Sequence, residues 1–432
     1  MAVINQISGN ESGGMNGTIR VPGDKSISHR AVLFGSIAEG KTEIDGFLNG
    51  ADCRSTISCM RQLGISIEET KDQVFVNGKG LFGLNESKTV LDTGNSGTTF
   101  RLISGILSGQ EFESHLDGDS SIRNRPMDRI IKPLSMMGAK IKSENDNGLA
   151  PLSIYPSSLH GIDYKSPVAS AQVKSAILLA GLYADGETFV TEPVKSRDHT
   201  ERMLGAFGAD LSINGNRVGI SDHPLLKGKH ITVPGDISSA AYFLAAGLIV
   251  PNSCITVLNV GINPTRSGII DVIKKMGGNI VIENNRIESG EPVADITVST
   301  SVLHGTDISG DIIPALIDEI PVISVMAASA DGTTTIRDAS ELRVKESDRV
   351  KTVTENLRAM GAEIEPHEDG MTIKGGRSLH GAYIHTYGDH RLAMSMAVAG
   401  LIADGVTTFD DSSCVYVSYP GFFESLQKMR RN

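Results

Sequence analysis

Six times in 432 residues the chain repeats one arrangement: a long segment of apolar and small residues, a turn, and a strand-like alternation. The copies read HRAVLFGSIAEGKTEIDGF, TFRLISGILSGQEFESHLDGD, VKSAILLAGLYADGETFVTE, AAYFLAAGLIVPNSCITVLNV, PVISVMAASADGTTTIRDA and RLAMSMAVAGLIADGVTTFDD. Their turn residues, Gly40, Gly109, Gly186, Asn252, Gly332 and Gly405, are separated by 69, 77, 66, 80 and 73 residues, close to the 72 of a sixfold division. A period of this length means stacked supersecondary units, none of which can bury its apolar face alone.

Between successive copies lies a second element, a charged segment with one apolar stripe that ends in an apolar residue and Gly before a short strand. It reads STISCMRQLGISI, MDRIIKPLSMMGAKI, HTERMLGAFGADL, SGIIDVIKKMGGNI and DRVKTVTENLRAMGAEI, with a truncated sixth, PGFFESLQKMRRN, at the C-terminus. The first kind of segment is apolar nearly all round and predicts a buried helix; the second predicts a helix with one face in water. The glycine predicts a C-cap, since it takes the left-handed conformation without a Cβ clash. Each unit then reads as a buried helix, a strand, an exposed helix and two or three more strands, an α/β (α+β) chain.

VPGDKSISHR at 21–30 and VPGDISSAA at 233–241 are offset by 212 residues, close to half the chain. Both are Pro-Gly turns delivering a strand into a helix N-terminus. They divide the six units into two halves of three, one domain of 22–234 and one of 1–21 plus 235–432, with the chain crossing at the two turns.

The formal charge is −11, from 40 basic and 51 acidic residues, which argues against a sequence-independent grip on nucleic acid. An anionic ligand has to be met by a local basic pocket. No apolar run approaches the roughly 18 residues that span a bilayer. Cys53, Cys59, Cys254 and Cys414 have no paired spacing and no His at zinc-finger distance, which reads as free thiols in a reducing cytosol and no metal. The N-terminal MAVINQISGNESGG has neither a signal-peptide core nor transit-peptide amphipathicity, and the expectation is a cytoplasmic protein.

The two VPGD copies allow a subtraction. The second keeps Asp236 and Ser238 but has Ile237 where the first has Lys25, and Ala240 and Ala241 where the first has Ser28 and His29. Folding does not require the cation, so Lys25, Ser26 and Arg30 point to a ligand; Ser26 and Arg30 share a helical face, and the helix N-terminus favours phosphate or carboxylate. Other buried-helix starts carry GNSGTTFR with Gly97, VASAQVKSA with Ser170, Gln172 and Lys174, IDEIP with Asp318 and Glu319, and YGDHR with Asp389, His390 and Arg391. Exposed-helix starts add Arg123, Arg125 and Arg129, then Ser196 and Arg197, then Lys345, Glu346 and Arg349. If the units stack as repeats do, these ends converge on one face. Many cations with a few carboxylates suit a polyanionic substrate plus proton transfer, with Asp318, Glu346 and Asp389 as acid and base candidates and Lys25 as a further proton carrier. With no Walker loop, dinucleotide fingerprint or metal triad, the chemistry is expected to need no cofactor.

With PGDKSISHR, GNSGTTFR, RPMDR, VASAQVKSA, SRDHTE, PGDISSAA, RVKESDR and GDHR in this order, the chain resembles the 5-enolpyruvylshikimate-3-phosphate synthase family. The resemblance implies a two-domain inside-out α/β barrel of six βαβαββ units, three per domain, with ligands in the cleft between the domains. It implies transfer of the enolpyruvyl group of phosphoenolpyruvate to the 5-hydroxyl of shikimate 3-phosphate, with release of phosphate, by a monomer. Carried over residue by residue, Lys25, Ser26, Arg30, Ser170, Gln172, Ser196, Arg197, Asp318 and Lys345 would hold shikimate 3-phosphate. Lys25, Gly97, Arg125 and Gln172 would face phosphoenolpyruvate near its phosphate, and Arg349 and Arg391 would hold its carboxylate. Asp318 would take the hydroxyl proton and Glu346 would protonate the methylene carbon. Most shikimate 3-phosphate contacts fall in 22–234, and the carboxylates and carboxylate-binding arginines in the other domain.

The sequence departs from the family pattern at Val417, where some members have Lys, at Ala171 in place of a second Ser, and at Glu341, where some have Asn. Two alternatives compete. UDP-N-acetylglucosamine enolpyruvyl transferases usually carry a reactive Cys in the loop that here reads DGDSSIRNRP, without a thiol. A non-catalytic anion-binding repeat protein gives no reason for Asp318 and Glu346 to accompany the arginines.

Overall fold

The computed structural model describes residues 5–9 and 13–431. Residues 1–4 and 10–12, part of the N-terminal stretch read above as free of a leader, and Asn432 of the truncated sixth copy lie outside the described residues. The chain divides into two compact lobes. The central lobe is Gly23–Val233 with Glu288–Glu291; the flanking lobe is Met1–Pro22, Pro234–Ile287 and Pro292–Asn432. Both main crossings fall inside a VPGD turn, and each lobe has its own apolar core.

Six core helices form from the apolar segments. Lys25–Ile37, Gly97–Leu107 and Ala171–Gly181 are the first to third, in the central lobe; Ile237–Ile249, Ile320–Ser329 and His390–Ile402 are the fourth to sixth, in the flanking lobe. Each is buried along nearly its whole length, as expected of a helix without a polar face. In the flanking lobe all three pack on one another; in the central lobe the second packs on both others. Sheets lie around these helices, with the helices inside, so each lobe is an inside-out α/β barrel of three repeats.

The second repeat shows the pattern. Leu91–Asp92 leads into the second core helix and pairs parallel with Ser114–Asp117. The exposed helix Asp128–Met136 follows, then Lys140–Ser143 and Leu152–Tyr155, the latter lying antiparallel between Ser114–Asp117 and Lys140–Ser143. A parallel pair needs a crossover, which the core helix supplies. The glycine after each of the first five exposed helices, Gly64, Gly138, Gly208, Gly277 and Gly361, has positive φ as the C-cap reading requires. Among the six turn residues the equivalence is incomplete. Gly109 lacks the positive φ of the other five, because stacked turns close its helix, Gly109 N–H to Ile106 O and Gln110 N–H to Leu107 O, and press the glycine on the Tyr183 ring.

Strand exchange at the crossings has no trace in the repeat pattern. Asn16–Ile19 runs into the first core helix but pairs parallel with Cys254–Gly261 of the fourth repeat. His230–Thr232 runs into the fourth core helix but pairs parallel with Glu39–Asp45 of the first. The truncated sixth repeat is completed by the N-terminal strand Gln6–Ser8, antiparallel to Val406–Phe409. Among the described residues no single helix is long and apolar enough to cross a membrane.

Close helix packing makes one testable demand. Where a Cβ on Gly105 of the second core helix would sit lies the backbone carbonyl of Ala176 of the third. Gly105→Ala gains about 1 kcal/mol of helix propensity but forces two backbones apart. A net loss of about 2 kcal/mol or more is expected as a lower urea midpoint; a variant as stable as the parent would refute the packing argument.

Candidate active site

In the central lobe the three core-helix starts are tied together by polar side chains. Asp24 caps the first, its carboxylate accepting from Ile27 N–H at 2.9 Å. Lys25 follows, its Nζ 2.9 Å from Asp52 Oδ2 on the first turn of the exposed helix Ala51–Gln62. Ser26 is half-buried beside it. Arg30 is 3% exposed and spends three N–H groups on the protein: Nε to Thr200 Oγ1 at 2.7 Å, and its terminal nitrogens to Ser26 O and Ser175 Oγ, each at 2.9 Å. Burial pushes this guanidinium down to about 10, against the opposing pull of Glu201.

The second core helix is capped by Ser96, which accepts from Thr99 N–H at 3.1 Å, and opens on Gly97. The Arg125 guanidinium lies against this glycine: a Cβ there would be 2.8 Å from one of its terminal nitrogens. Arg101 donates to Gln172 Oε1, and Gln172 Nε2 donates to Thr98 Oγ1 at 2.9 Å. Ser170 caps the third core helix. Gly97, Arg125, Gln172 and Ser170 thus lie on helix starts joined by direct contacts. Ser196 is buried, its N–H donating to Glu192 Oε2 at 3.2 Å while its hydroxyl has no hydrogen-bond partner among the described residues. Arg197 beside it is half-buried.

The flanking lobe gathers its candidates around Arg349, which is fully buried. Its Nε lies 2.8 Å from Asp389 Oδ2, and its terminal nitrogens lie 3.3 Å from Asp318 Oδ1 and 2.6 Å from Glu346 Oε2. Lys345 Nζ is 3.5 Å from Asp318 Oδ1, and Arg391 3.7 Å from Asp318 Oδ2. Asp318 therefore faces three cations, and Lys345, Glu346, Arg349 and Arg391 all lie around it. Burial lowers the proton affinity of Arg349 and of Arg391; Asp389 for the first and Asp318 for the second more than restore it, so both guanidiniums stay charged.

Asp389 is not the third proton-transfer group that its place in YGDHR suggests. It caps the sixth core helix, accepts from Arg391 N–H at 2.9 Å and Ser347 Oγ at 2.9 Å, and has no exposed surface. Burial pushes its carboxyl up, and Arg349 more than offsets that, holding it below the usual range. Held by Arg349, Ser347 and the start of its own helix, with the Glu346 carboxylate close by, it is placed as a fixed support for Arg349.

The sequence pattern of EPSP synthase (3-phosphoshikimate 1-carboxyvinyltransferase) matches residues 10–426. The chain belongs to the EPSP synthase family. It is 57% identical over 415 residues to the 3-phosphoshikimate 1-carboxyvinyltransferase of Brevibacillus brevis, covering 96% of this chain and 97% of that one. With the protein of the same name from Thermoanaerobacter pseudethanolicus it shares 56%, covering 96% and 98%. The structure of EPSP synthase from Acinetobacter baumannii superposes with a TM-score of 0.88 at 45% identity, over 99% of this chain and 98% of that one. The enolpyruvyl transferase NikO from Streptomyces tendae, at 16% identity and a TM-score of 0.80 over 98% and 96% of the two chains, shares the fold.

Within this EPSP synthase family chain the structure adds Arg266, which sequence reasoning passed over, and gives Asp236, Ser238 and Glu319 a common partner. Arg266 donates to Asp236 Oδ1 at 3.1 Å and Ser238 Oγ at 2.6 Å, and Ser238 donates to Glu319 Oε1. One signal could have found it: Arg266 precedes the exposed helix Gly268–Lys275 as Arg197 precedes His199–Phe207. Arg101 and Thr98 lay in the quoted GNSGTTFR without being singled out. Of the departures from the family pattern, Ala171 directly follows the cap Ser170, Val417 ends the short helix Ser413–Val417, and Glu341 is half-buried in the turn Ser340–Val344. Lys174, of the same helix start as Ala171, is 1% exposed and clasped by Glu192 and Glu201.

Proposed function

We propose that the chain transfers the enolpyruvyl group of phosphoenolpyruvate to the 5-hydroxyl of shikimate 3-phosphate and releases phosphate, a step of the shikimate pathway to chorismate and the aromatic amino acids. The observation that carries this reading is family membership across residues 10–426. The clustering of two carboxylates with Lys345, Arg349 and Arg391 supports it, since the reaction joins two polyanions and moves two protons.

In this reading Lys25, Ser26, Arg30, Ser170, Gln172, Ser196, Arg197, Asp318 and Lys345 hold shikimate 3-phosphate. Lys25, Gly97, Arg125 and Gln172 face the phosphate of phosphoenolpyruvate, and Arg349 and Arg391 hold its carboxylate. Glu346 gives a proton to the methylene carbon, which makes C2 electrophilic; Asp318 takes the proton of the 5-hydroxyl, whose oxygen bonds to C2. The Glu346 carboxylate then takes back a proton from the new methyl group of the tetrahedral intermediate as the C2–O bond to phosphate breaks, and Lys25 stabilises the departing anion. Fixed cations stabilise the crowded charge without reorganising during the reaction. The enzyme works as a cytoplasmic monomer with two small-molecule substrates, without nucleic acid or membrane.

The test is phosphate release from phosphoenolpyruvate with shikimate 3-phosphate or with UDP-N-acetylglucosamine. Release is expected with the first acceptor alone; release with neither, by folded protein, sinks the enzyme reading.

A further inference from the structure

Lys174 is the one candidate cation of the third core-helix start that the reaction leaves without a role, and its surroundings give it one. Its ammonium lies 2.8 Å from Glu192 Oε2 and 2.7 Å from Glu201 Oε1, and the three side chains are 1–2% exposed. Burial works against the ammonium, and Glu201 with Glu192 more than offsets it, so Lys174 is charged. Glu192 follows the strand Thr188–Thr191, and Glu201 lies in the first turn of the helix His199–Phe207. One cation therefore clasps both ends of the segment between them.

That segment carries Ser196 and Arg197. The Glu192 oxygen that holds Lys174 also accepts the Ser196 N–H at 3.2 Å, and the buried Ser196 hydroxyl is without a hydrogen-bond partner among the described residues. Next to Glu201, the Thr200 hydroxyl accepts from Arg30 Nε at 2.7 Å and lies 2.6 Å from Ser175 Oγ, which Arg30 also reaches. Ser175 follows Lys174 on the third core helix.

We propose that Lys174 is a positioning residue: clasped by Glu192 and Glu201, it holds the segment between them in the shape that sets Ser196, Arg197 and Arg30 for the anionic group of shikimate 3-phosphate. The proposal rests on the functional reading above. It differs from a fold-stabilising role in what it predicts for affinity.

The test uses the full chain with Lys174→Met, Glu192→Gln and Glu201→Gln combined, so that no charge of the trio stays buried without its partner, and beside it the isosteric Glu192→Gln alone. Replacing a whole buried ion group is tolerated far better than removing one partner, so the triple variant is expected to fold with an unfolding temperature within a few degrees of the parent; Glu192→Gln keeps the Lys174–Glu201 ion pair and an acceptor oxygen for the Ser196 N–H, and is expected to fold with a larger drop in unfolding temperature. KM for shikimate 3-phosphate is expected to rise about tenfold in the triple variant and about threefold in Glu192→Gln, with kcat lowered by less than about threefold. A merely structural residue would move the unfolding temperature and leave KM alone. Parental KM in the folded variants, or a fall in kcat without a rise in KM, overturns the proposal; if the triple variant does not fold, Glu192→Gln decides by the same criterion. If the parent itself releases no phosphate the functional reading fails, and the Kd for shikimate 3-phosphate, measured by calorimetry on the same proteins, still decides this one.

Discussion

Asp318→Asn is expected to lower kcat by about 10²- to 10⁴-fold, the usual range for a lost general base, while the affinity for either substrate changes by less than about tenfold. Asp318 Oδ1 lies 3.3 Å from Arg349 and 3.5 Å from Lys345, and Oδ2 lies 3.7 Å from Arg391. Asparagine keeps the shape and one acceptor oxygen, so the three cations stay near their places and binding survives. What disappears is the acceptor for the hydroxyl proton. Glu346→Gln makes the matching test for protonation of the methylene carbon, with a comparable loss in kcat. Because each carboxylate serves the same addition step, the double variant should lose far less than the product of the two single losses. Equal losses in turnover and affinity for either single variant would count against proton transfer and for a binding role.

The repeat, the helix types and the C-caps were legible because each depends on residues close in sequence. An apolar face reports burial wherever it is buried, and a glycine after the last turn reports local backbone geometry. Strand exchange was not legible, because pairing Asn16–Ile19 with Cys254–Gly261 depends on contacts across more than 230 residues, and strands of three or four residues such as Gln6–Ser8 show too little alternation to register. The site divides in the same way. Asp318, Lys345, Glu346, Arg349 and Arg391 could be singled out because charge at a helix start is a local anomaly. Whether such a charge meets a ligand or another side chain is a long-range matter: Arg30 finds Thr200 and Ser175, and Asp389 finds Arg349. Sequence placed the polar groups at the helix ends and left open which of them satisfy one another.

Arg349→Met is expected to cost about 3–5 kcal/mol of stability at pH 7, the typical result of removing one partner from a buried ion group. The cost should shrink as the pH falls toward 5. In the parent, Arg349 holds the Asp389 carboxyl below its ordinary value despite burial. A depressed carboxylate contributes stability that is fully present above its unfolded value near pH 4 and is lost only as pH falls through the lower folded value, so this contribution is flat from pH 7 to 5. Without the guanidinium, burial and the neighbouring Glu346 dominate at Asp389, and its folded value rises above the unfolded one. The penalty for keeping it charged then applies above the raised value and is relieved as protons bind below it. Urea unfolding of parent and variant at pH 7, 6 and 5 measures the difference directly, and a gap that stays constant or widens toward pH 5 would refute the assignment of Asp389 as a supported anion. Adding Asp389→Asn to Arg349→Met should recover part of the loss at pH 7 and flatten the pH dependence, because the buried charge that needed the arginine is then gone.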